Sequence, residues 1–565
     1  MQETKKCQNC TNNFVIEPDD FAFYEKMGVP VPVECPDCRL QRRLTFINAR
    51  SLYRRTCDLC DTSTLSIFRP ELDMVVYCQK CYWGDDWDPN EIYSEYNPDV
   101  PFLQQLHELR LRTPHAALES LYSSMVNSDY CNYAAYMKNS YLCYFCDYGE
   151  NVLYTYMMAH VKDSADCSRI NECELCYELV GGYKCYQTFY SLDCSECSNV
   201  LFSRDCVGCT DCIGCVNLRK KSYNLFNKQY SKDEYQQKKS EMQLDTYDGI
   251  MRLHKEVAVF WQNHPVKYMH RDSMSANVSG DYVYQSKNAK QCYMATNLEN
   301  AKYVQMMTIP KVEDAYDYTA WGANASLIYE STTVGDNAQN VICCDECWPN
   351  VNDIQYCIYT HSSHDCFGCV NVRNNEYSIL NKKYTKEEYN ELKKQIISDM
   401  DTLPYIDGNN TEWRYGHGLP RSLSLFGYNE AESGLYIPLE KDEALHKGFA
   451  WCDKKDPQFN ITIKATDLPN SIKDVEDTIL DDIVECEETG RPYRIVRDEL
   501  VLLRRFGLPL PRKHPDVRLK NRSHLINSPM FYNRTTADGV DVLTSYAPDR
   551  PETILSEEGY QDEVM

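Results

Sequence analysis

The chain has 565 residues, which is long enough for three or four domains that each bury a core of their own. Asp and Glu number 84 against 59 Lys and Arg, so a net charge of −25 makes the chain as a whole repel polyanions. No stretch approaches the roughly 18 apolar residues of a membrane span, and the first residues lack the apolar segment of a signal peptide. We therefore expect a cytoplasmic protein.

Four Cys-x-x-Cys pairs stand in the first 87 residues. Eight thiolates with this spacing match two closed tetrahedral zinc sites. We assign one zinc to the first two pairs and one to the last two, although a cross-braced arrangement has the same ligand count. Disulfides are a further alternative, which a reducing cytosol disfavours. The predicted ligands of the two zinc ions are Cys7, Cys10, Cys35, Cys38, Cys57, Cys60, Cys78 and Cys81.

A basic stretch follows the second cysteine pair. Residues 39–56 contain six arginines and no acidic residue, and they also include Phe46 and Tyr53. Guanidinium groups match phosphate geometry and aromatic rings stack on unpaired bases, so a nucleic-acid contact is the leading interpretation. The alternative is that these arginines, with Arg518 and Arg522 of the C-terminal stretch, pair with the chain's own acidic core and dock both ribbon units onto it. The candidate nucleic-acid-binding residues are Arg39, Arg42, Arg43, Arg50, Arg54 and Arg55.

The middle of the chain is a tandem duplication. Residues 212–242 return as residues 366–396, and each copy ends in a capping box, Ser231 with Glu234 and Thr385 with Glu388. We expect helices at about 231–245 and 385–400. A further helix is predicted within 88–120, where Leu103, Leu106 and Leu109 share a face.

Cysteines recur at intervals of nine within the first copy, for example at Cys167, Cys176, Cys185 and Cys194. Short strands separated by turns produce such a period, and helices do not. A β-solenoid with inward ladders of small residues is the preferred interpretation, and an antiparallel meander is the alternative. We interpret the cysteines as buried packing residues.

The two ends of the chain are also related. Residues 27–43 align without a gap with residues 506–522, so the C-terminal stretch is a second ribbon unit. Cys486 and His514 occupy two of its eight ligand positions, and two donors cannot close a tetrahedral site. Short helices at about 18–27 and 497–506 should end at Gly28 and Gly507. The other six ligand positions hold Thr489, Val517, Thr536, Gly539, Glu557 and Tyr560.

The predicted fold class is a mainly β, multidomain protein with a double zinc ribbon, a duplicated solenoid-like core with capping helices, and a metal-free ribbon repeat. The connecting segment before the last repeat should contain an amphipathic helix with Ile472, Val475, Ile479 and Ile483 on one face. The predicted boundaries are 1–87, 88–120, 121–245, 246–270, 271–400, 401–482 and 483–565.

Several motifs resemble those of a known family. Residues 7–87, with FYEKMGVPVP, CPDCRLQRRL, SLYRRTCDLC and YCQKCYWGDDWDP, resemble large, functionally uncharacterised zinc-ribbon proteins of candidate-phylum bacteria and large DNA viruses. The likeness extends to CIGCVNLRKKSYNLFNKQYSKDEY and to LFGYNEAESGLYIPL at 425–439. It implies the eight N-terminal cysteines as zinc ligands and implies no activity.

Three classes of function follow. The first is a non-enzymatic zinc protein that binds nucleic acid or a ribonucleoprotein through the arginine-rich face. The second is a structural or assembly scaffold, for example of a viral or other large particle, whose repetitive core binds protein partners. The third is an enzyme, which we disfavour because the sequence has no phosphate-binding glycine loop, nucleophile elbow or open zinc motif.

Overall fold

The structure is a computed structural model that describes residues 2–307, 309–453 and 459–564. Its centre consists of two ladders of short β-strands, one for each copy of the duplicated sequence. A cysteine-rich unit precedes the first ladder, and a related unit follows the second. None of the described helices is long and apolar enough to cross a bilayer.

Strands in the two ladders pair in parallel with the next turn of the chain. In the first ladder Tyr156 lies beside Ser168 and Ser168 lies beside Val180, an offset of 12 residues. In the second ladder the offset is between 12 and 14 residues: Gly280 lies beside Cys292, Val312 lies beside Ala325, and Leu298 lies beside Val312. Parallel pairing contradicts the antiparallel meander, in which neighbouring strands run in opposite directions.

The first ladder has eight parallel strands and a closing antiparallel strand: Asn132–Lys138, Tyr144–Leu153, Tyr156–Ala165, Ser168–Asn171, Val180–Tyr183, Ser198–Leu201, Thr210–Ile213, Ser222–Leu225 and Lys228–Gln229. The second ladder has ten parallel strands and a closing antiparallel strand: Gly280–Tyr284, Lys287–Lys290, Cys292–Thr296, Leu298–Met307, Val312–Gly322, Ala325–Gly335, Gln339–Ile342, Asn352–Gln355, His364–Phe367, Glu376–Ile379 and Lys382–Lys383.

A three-residue unit generates the first ladder. From Tyr133 to Phe226 every third residue has a left-handed backbone, with φ between 47° and 68°. Up to Cys215 the residue after each of these faces the interior, and the buried interior cluster is built from residues such as Ala134, Met137 and Cys143. Left-handed conformations cost about 1–2 kcal/mol for residues other than glycine, so the ladder hydrogen bonds on both sides must offset that cost. Four units make one 12-residue turn.

The nine-residue cysteine spacing is therefore not the length of a turn, as the sequence interpretation assumed. Nine is a multiple of the three-residue interior period. It is also the number of residues between an interior cysteine and the backbone carbonyl that its thiol contacts. The Cys185 thiol donates to the carbonyl of Cys194 at 3.3 Å, and the Cys197 thiol donates to that of Cys206 at 3.3 Å. Interior cysteines thus pack as small apolar residues while their weak donors are satisfied.

This arrangement predicts which substitutions the interior accepts. Ser164 lies one turn before Cys176, and its hydroxyl oxygen accepts a hydrogen bond from the Cys176 backbone N–H at 3.0 Å. Serine is thus already a member of this interior column, so we expect Cys176→Ser to change the free energy of unfolding by less than about 1 kcal/mol. Cys176→Leu should cost about 1–3 kcal/mol through overpacking. Urea denaturation of both variants measures the difference, and equal costs would contradict the packing role.

The helices that close the ladders begin where the capping boxes predict. Lys232–Glu241 follows Ser231, and Lys386–Thr402 follows Thr385; both caps make the reciprocal side-chain and backbone contacts. Helix Phe102–Arg112 buries Leu103, Leu106 and Leu109, which confirms the prediction. Helix Tyr247–Gln262 occupies the connection between the ladders.

The predicted helix around Ile472 is wrong. The chain there forms two short 3-10 turns, Ile472–Asp474 and Asp477–Asp481, although Ile472, Val475 and Ile479 are buried. The Ser471 hydroxyl oxygen accepts from the Lys473 N–H, and such local hydrogen bonds compete with helix formation. The acidic residues of this segment would also lie unfavourably at a helix C-terminus.

The remaining elements of the connecting regions are short. Around helix Phe102–Arg112 they are Pro89–Glu91, His115–Ala116 and Tyr122–Ser124, and the strand Val266–Lys267 precedes the second ladder. After the second ladder they are Tyr405–Ile406, Glu412–Trp413, Arg421–Leu423, Ser433–Tyr436, Lys441–His446, Ile463–Lys464 and Ala465–Asp467.

The two end units share one set of elements. The N-terminal unit contains Glu3–Lys6, Asn13–Ile16, Pro18–Met27, Pro36–Leu44, Tyr53–Thr56, Ser63–Ser66, Val76–Tyr77 and Gln79–Tyr82. The C-terminal unit contains Val484–Glu485, Pro492–Tyr493, Arg497–Phe506, Pro515–Ser523, Tyr532–Thr535, Asp541–Thr544, Ile554–Leu555 and Glu557–Val564. Gly28 and Gly507 adopt the predicted left-handed caps, with φ of 65° and 68°.

Each end unit packs on the ladder that belongs to the other half of the chain. Phe23 of the N-terminal unit stacks on Tyr316 of the second ladder at 3.9 Å. Phe506 of the C-terminal unit contacts Phe189 of the first ladder, with ring centroids 5.2 Å apart. Aromatic contacts thus join the N-terminal unit to the second ladder and the C-terminal unit to the first ladder.

Candidate metal centres

Two turns form the first cysteine group. Cys7 and Cys10 follow strand Glu3–Lys6, while Cys35 precedes helix Pro36–Leu44 and Cys38 lies within it. Pro36 at the first helical position suits the start of this helix, because its missing N–H would have no helical partner. The backbone N–H of Cys35 donates to the Cys7 sulfur at 3.2 Å, so the two turns are held together.

The second group repeats this geometry. Cys57 and Cys60 follow strand Tyr53–Thr56, Cys78 precedes helix Gln79–Tyr82, and Cys81 lies within it. The Cys78 N–H donates to the Cys57 sulfur at 3.2 Å, as its counterpart does in the first group. The structure thus brings the cysteines together in sequential pairs and not in the cross-braced arrangement.

The sulfur atoms of each group lie close enough to share one ion. All ligand atoms within a group are within 4.8 Å of one another, and every cysteine of the chain is a free thiol. The Cys10 and Cys35 sulfurs are 3.7 Å apart, and those of Cys60 and Cys78 are 3.9 Å apart. A tetrahedral site with bonds of about 2.3 Å requires sulfur atoms about 3.8 Å apart. Both groups therefore have the size of a tetrahedral thiolate site.

The two groups differ in exposure. Cys7, Cys35 and Cys38 are buried, whereas Cys60 is exposed and Cys78 and Cys81 are half-buried. The pKa of Cys7 is lowered mainly because the Cys35 and Cys38 thiols hydrogen-bond to it. The pKa of Cys60 is lowered to about 6, first by the Thr62 hydroxyl. Each group thus contains a thiol that ionises readily.

The C-terminal unit keeps part of this architecture, with Cys486 as the counterpart of Cys7. The His514 N–H donates to the Cys486 sulfur at 3.3 Å, which reproduces the contact between Cys35 and Cys7. In its second half, Ser556 hydrogen-bonds to the carboxylate of Asp538 through both its N–H, at 3.1 Å, and its hydroxyl. In the N-terminal unit the corresponding two turns carry the cysteines of the second group. In the C-terminal unit these turns are joined by the hydrogen bonds between Ser556 and Asp538.

The pairing of strands corrects part of the predicted alignment. Tyr53 pairs with Ser66, but its counterpart Tyr532 pairs with Thr544, so the C-terminal hairpin is one residue shorter. Beyond this hairpin the offset is 478 residues, and Ser556 and Gly559 replace Glu557 and Tyr560 as the counterparts of Cys78 and Cys81. An ungapped comparison misses this deletion.

Three of the predicted nucleic-acid-binding arginines are buried in the structure. Helix Pro36–Leu44 carries Arg39, Arg42 and Arg43, whose side chains are at most 3% exposed. Arg39 and Arg43 both pair with Asp317 of the second ladder, at 2.9 and 3.1 Å. Because these guanidinium groups are inside the protein, they do not form a surface that binds phosphate. Their contacts fit the alternative interpretation, in which the arginines pair with the chain's own carboxylates.

A second acidic residue of the ladder completes this network. Glu330 lies 3.1 Å from Arg42, and Glu34 lies 2.9 Å from the same guanidinium. Burial disfavours the charge of Arg42, but the two carboxylates more than compensate and raise its pKa. We therefore expect Arg42 to remain charged at every accessible pH.

The other three arginines lie nearer the surface. Arg50 is 18% exposed and pairs with Glu432 at 3.4 Å. Arg55 donates to the carbonyl oxygens of Arg69 and Leu72 at 3.1 and 3.4 Å. Arg54 is exposed, and its guanidinium donates to the Tyr130 hydroxyl at 3.1 Å. Of the six, only Arg54 retains an exposed side chain.

The C-terminal unit docks in the same manner, as the docking alternative predicts for both ribbon units. Arg518 and Arg522 of helix Pro515–Ser523 correspond to Arg39 and Arg43, and both pair with Asp166 of the first ladder. Arg518 also lies 3.0 Å from Glu499. The alignment of residues 27–43 with residues 506–522 indicates this role, because both arginines are present in the C-terminal unit although most of the cysteines are not.

Fold and site together define a protein built on parallel β-ladders, with two four-cysteine groups in one of its two related end units. Compared with known protein families and with curated proteins, the chain matches none. The family resemblance of residues 7–87 therefore stays a prediction.

Proposed function

We propose that both four-cysteine groups bind zinc and that the chain is a non-enzymatic scaffold, in which the end units clamp two β-solenoid coils. The buried ion pairs between Arg39, Arg43 and Asp317 carry this proposal, because they fasten the metal-bearing helix to a coil. Four thiolates complete a tetrahedral zinc site and leave no position for substrate, so the metal role is structural.

Nucleic-acid binding through the arginine-rich helix is the competing proposal. It would require Arg39, Arg42 and Arg43 to leave their carboxylate partners, and removing one partner of a buried pair costs about 3–5 kcal/mol. The chain's net charge of −25 adds long-range repulsion of a polyanion. Both effects favour the scaffold.

Protein partners are the class that suits the outer face of the coils. Tyr183 and Tyr186 of the first ladder are 39% and 43% exposed. Exposed aromatic residues on a rigid surface are typical of protein interfaces, since they bury a large area at small entropic cost. We propose that the surface around Tyr183 and Tyr186 of the first coil binds a protein.

The first test is purification of the full chain from cells in low salt under reducing conditions. We expect about two zinc ions per chain and an absorbance ratio at 260 and 280 nm that is typical of protein. Arg54→Glu should leave that ratio unchanged. RNA or DNA that co-purifies with the wild type, dissociates at high salt and is lost in Arg54→Glu would instead support the nucleic-acid proposal.

A second purification tests the protein-binding face. A protein that co-purifies with the wild type should be lost when Tyr183 and Tyr186 are both replaced by serine. Tyr93→Ser is the matched control, because Tyr93 is 47% exposed but lies outside the ladders. Retention of the same protein by the double variant would contradict the proposed face.

A further inference from the structure

A cavity of about 440 Å³ lies between the two coils. Residues of the first ladder region, from Glu119 to Met157, contribute to one side, and Met306 with residues from Ile309 to Pro349 contributes to the other. Its size is within the range of small-molecule sites. The metal and scaffold proposals make no use of it.

The walls of this cavity are rich in aromatic residues. Tyr136 and Tyr148 stack in parallel with ring centroids 4.6 Å apart, and Tyr148 stacks equally closely on His160 outside the cavity lining. Trp321 and Trp348 meet edge to face at 5.0 Å on the opposite side. Aromatic faces of this kind attract flat rings and cations. The aromatic residues that line the cavity are Tyr133, Tyr136, Phe145, Tyr148, Trp321 and Trp348.

The charged residues that line the cavity are all acidic. They are Glu119, Asp147, Asp336 and Glu346, and no described lining residue is Lys, Arg or His. Behind them, Arg110 lies 3.5 Å from Asp345, which is fully buried. The cavity therefore has an excess of carboxyl groups over cations.

Two of these carboxyl groups lack a complete set of hydrogen bonds. Glu346 is 1% exposed; the Tyr133 hydroxyl donates to its Oε1 at 2.6 Å, but its Oε2 has no hydrogen-bond partner among the described residues. Glu119 is 8% exposed, and its Oε1 has no hydrogen-bond partner of good geometry in the described part of the chain, although the nearby Tyr359 hydroxyl lowers the pKa of this carboxyl group. Buried acceptors without donors are costly, so a ligand that supplies donors and positive charge would be stabilised here.

We propose that the cavity between the coils binds a small organic cation, in which a primary ammonium group is attached to a flat aromatic body. The aromatic walls hold the body, and the ammonium lies at the end formed by Glu119 and Glu346. An uncharged analogue would leave the carboxyl groups without a counter-ion.

The raised pKa values of the carboxyl groups in the cavity are consistent with binding of an ammonium ion. Burial raises the pKa of Glu119 to about 8 and that of Asp147 to about 6. Burial, followed by the nearby Glu119, also raises the pKa of Glu346. An ammonium ion favours the ionised carboxylates, so binding at pH 7 should release protons and should tighten as the pH rises towards 8. The other titratable or charged groups around these carboxyls are Arg110, His115, Tyr133, His160, Asp345 and Tyr359.

The test is calorimetric titration of the full, zinc-loaded chain with tryptamine and with its uncharged analogue indole-3-ethanol. We expect tryptamine to bind at least about tenfold more tightly, because a hydrogen bond to a charged group contributes about 1.5–3 kcal/mol. Titrations in buffers of different ionisation enthalpy should reveal the proton release. Equal affinity for the two compounds, or no binding of tryptamine at millimolar concentration, would overturn the proposal.

Matched variants locate the site. Glu346→Gln preserves the shape of the side chain and should weaken tryptamine binding about tenfold or more. Glu172→Gln is the control, because Glu172 is 45% exposed and pairs with Lys184 at 3.7 Å, outside the cavity lining. If Glu346→Gln fails to fold, Glu119→Gln replaces it, because Glu119 lies at the same end of the cavity. Unchanged affinity in a folded cavity variant would refute the assignment of the cavity.

Discussion

Replacement of Cys7 by serine should remove one zinc ion per chain and unfold the N-terminal unit. Its sulfur is one of four that lie within 4.8 Å of one another, and it accepts the N–H of Cys35. Structural zinc contributes an apparent 10–16 kcal/mol, roughly, in small zinc domains at neutral pH, which is comparable with the whole stability of a domain. Metal analysis and thermal unfolding of the purified variant measure both effects.

The chain contains its own control for this experiment. Cys486 is the counterpart of Cys7 in the C-terminal unit, it is equally buried, and its sulfur accepts the N–H of His514. Cys486→Ser should leave two zinc ions per chain and lower the melting temperature by only a few degrees, in line with a loss of about 1 kcal/mol. A Cys7→Ser protein that still holds two zinc ions would contradict the prediction that the first site requires the Cys7 thiolate.

Local signals in the sequence predicted the ends of helices correctly. Ser231 and Thr385 cap the helices that follow them, and Gly28 and Gly507 end theirs in the left-handed conformation. These predictions succeed because a cap depends on residues only three or four positions apart. The cysteine pairs are equally local, since each pair lies in a single turn.

The ladder period could not be derived by the same means. Left-handed positions usually hold glycine or asparagine, but here they hold residues such as Tyr133, Phe145 and Leu175. The interior positions accept Cys, Ala, Ser, Val and Met alike, so the three-residue period leaves little trace in the sequence. The nine-residue cysteine spacing was a multiple of the period and not the period itself.

The burial of the arginines depends on contacts between distant segments. Arg43 pairs with Asp317, 274 residues away, and no local pattern connects them. The duplication nevertheless held a clue: Arg518 and Arg522 remain in the unit that has lost its metal ligands. A role that survives without the metal points to docking rather than to a zinc-dependent surface.

Replacement of Asp317 by asparagine should destabilise the protein strongly. Asp317 is fully buried and is the partner of both Arg39 and Arg43, so the variant leaves two buried guanidinium groups with one carboxylate fewer. Removing one partner from a buried ion pair typically costs about 3–5 kcal/mol. Denaturant unfolding of the full, zinc-loaded chain gives this value directly.

Asp314→Asn is the matched control, because the same change is made three residues earlier in the same strand. Asp314 is 33% exposed and pairs with Lys26 at 2.9 Å, and an exposed pair of this kind contributes about 1 kcal/mol or less. Salt should separate the two sites further, since ions screen the exposed pair but not the buried one. If Asp317→Asn costs no more than Asp314→Asn, the arginines are not held by the ladder. They would then be free to reach the surface, and the nucleic-acid proposal would regain its strongest residues.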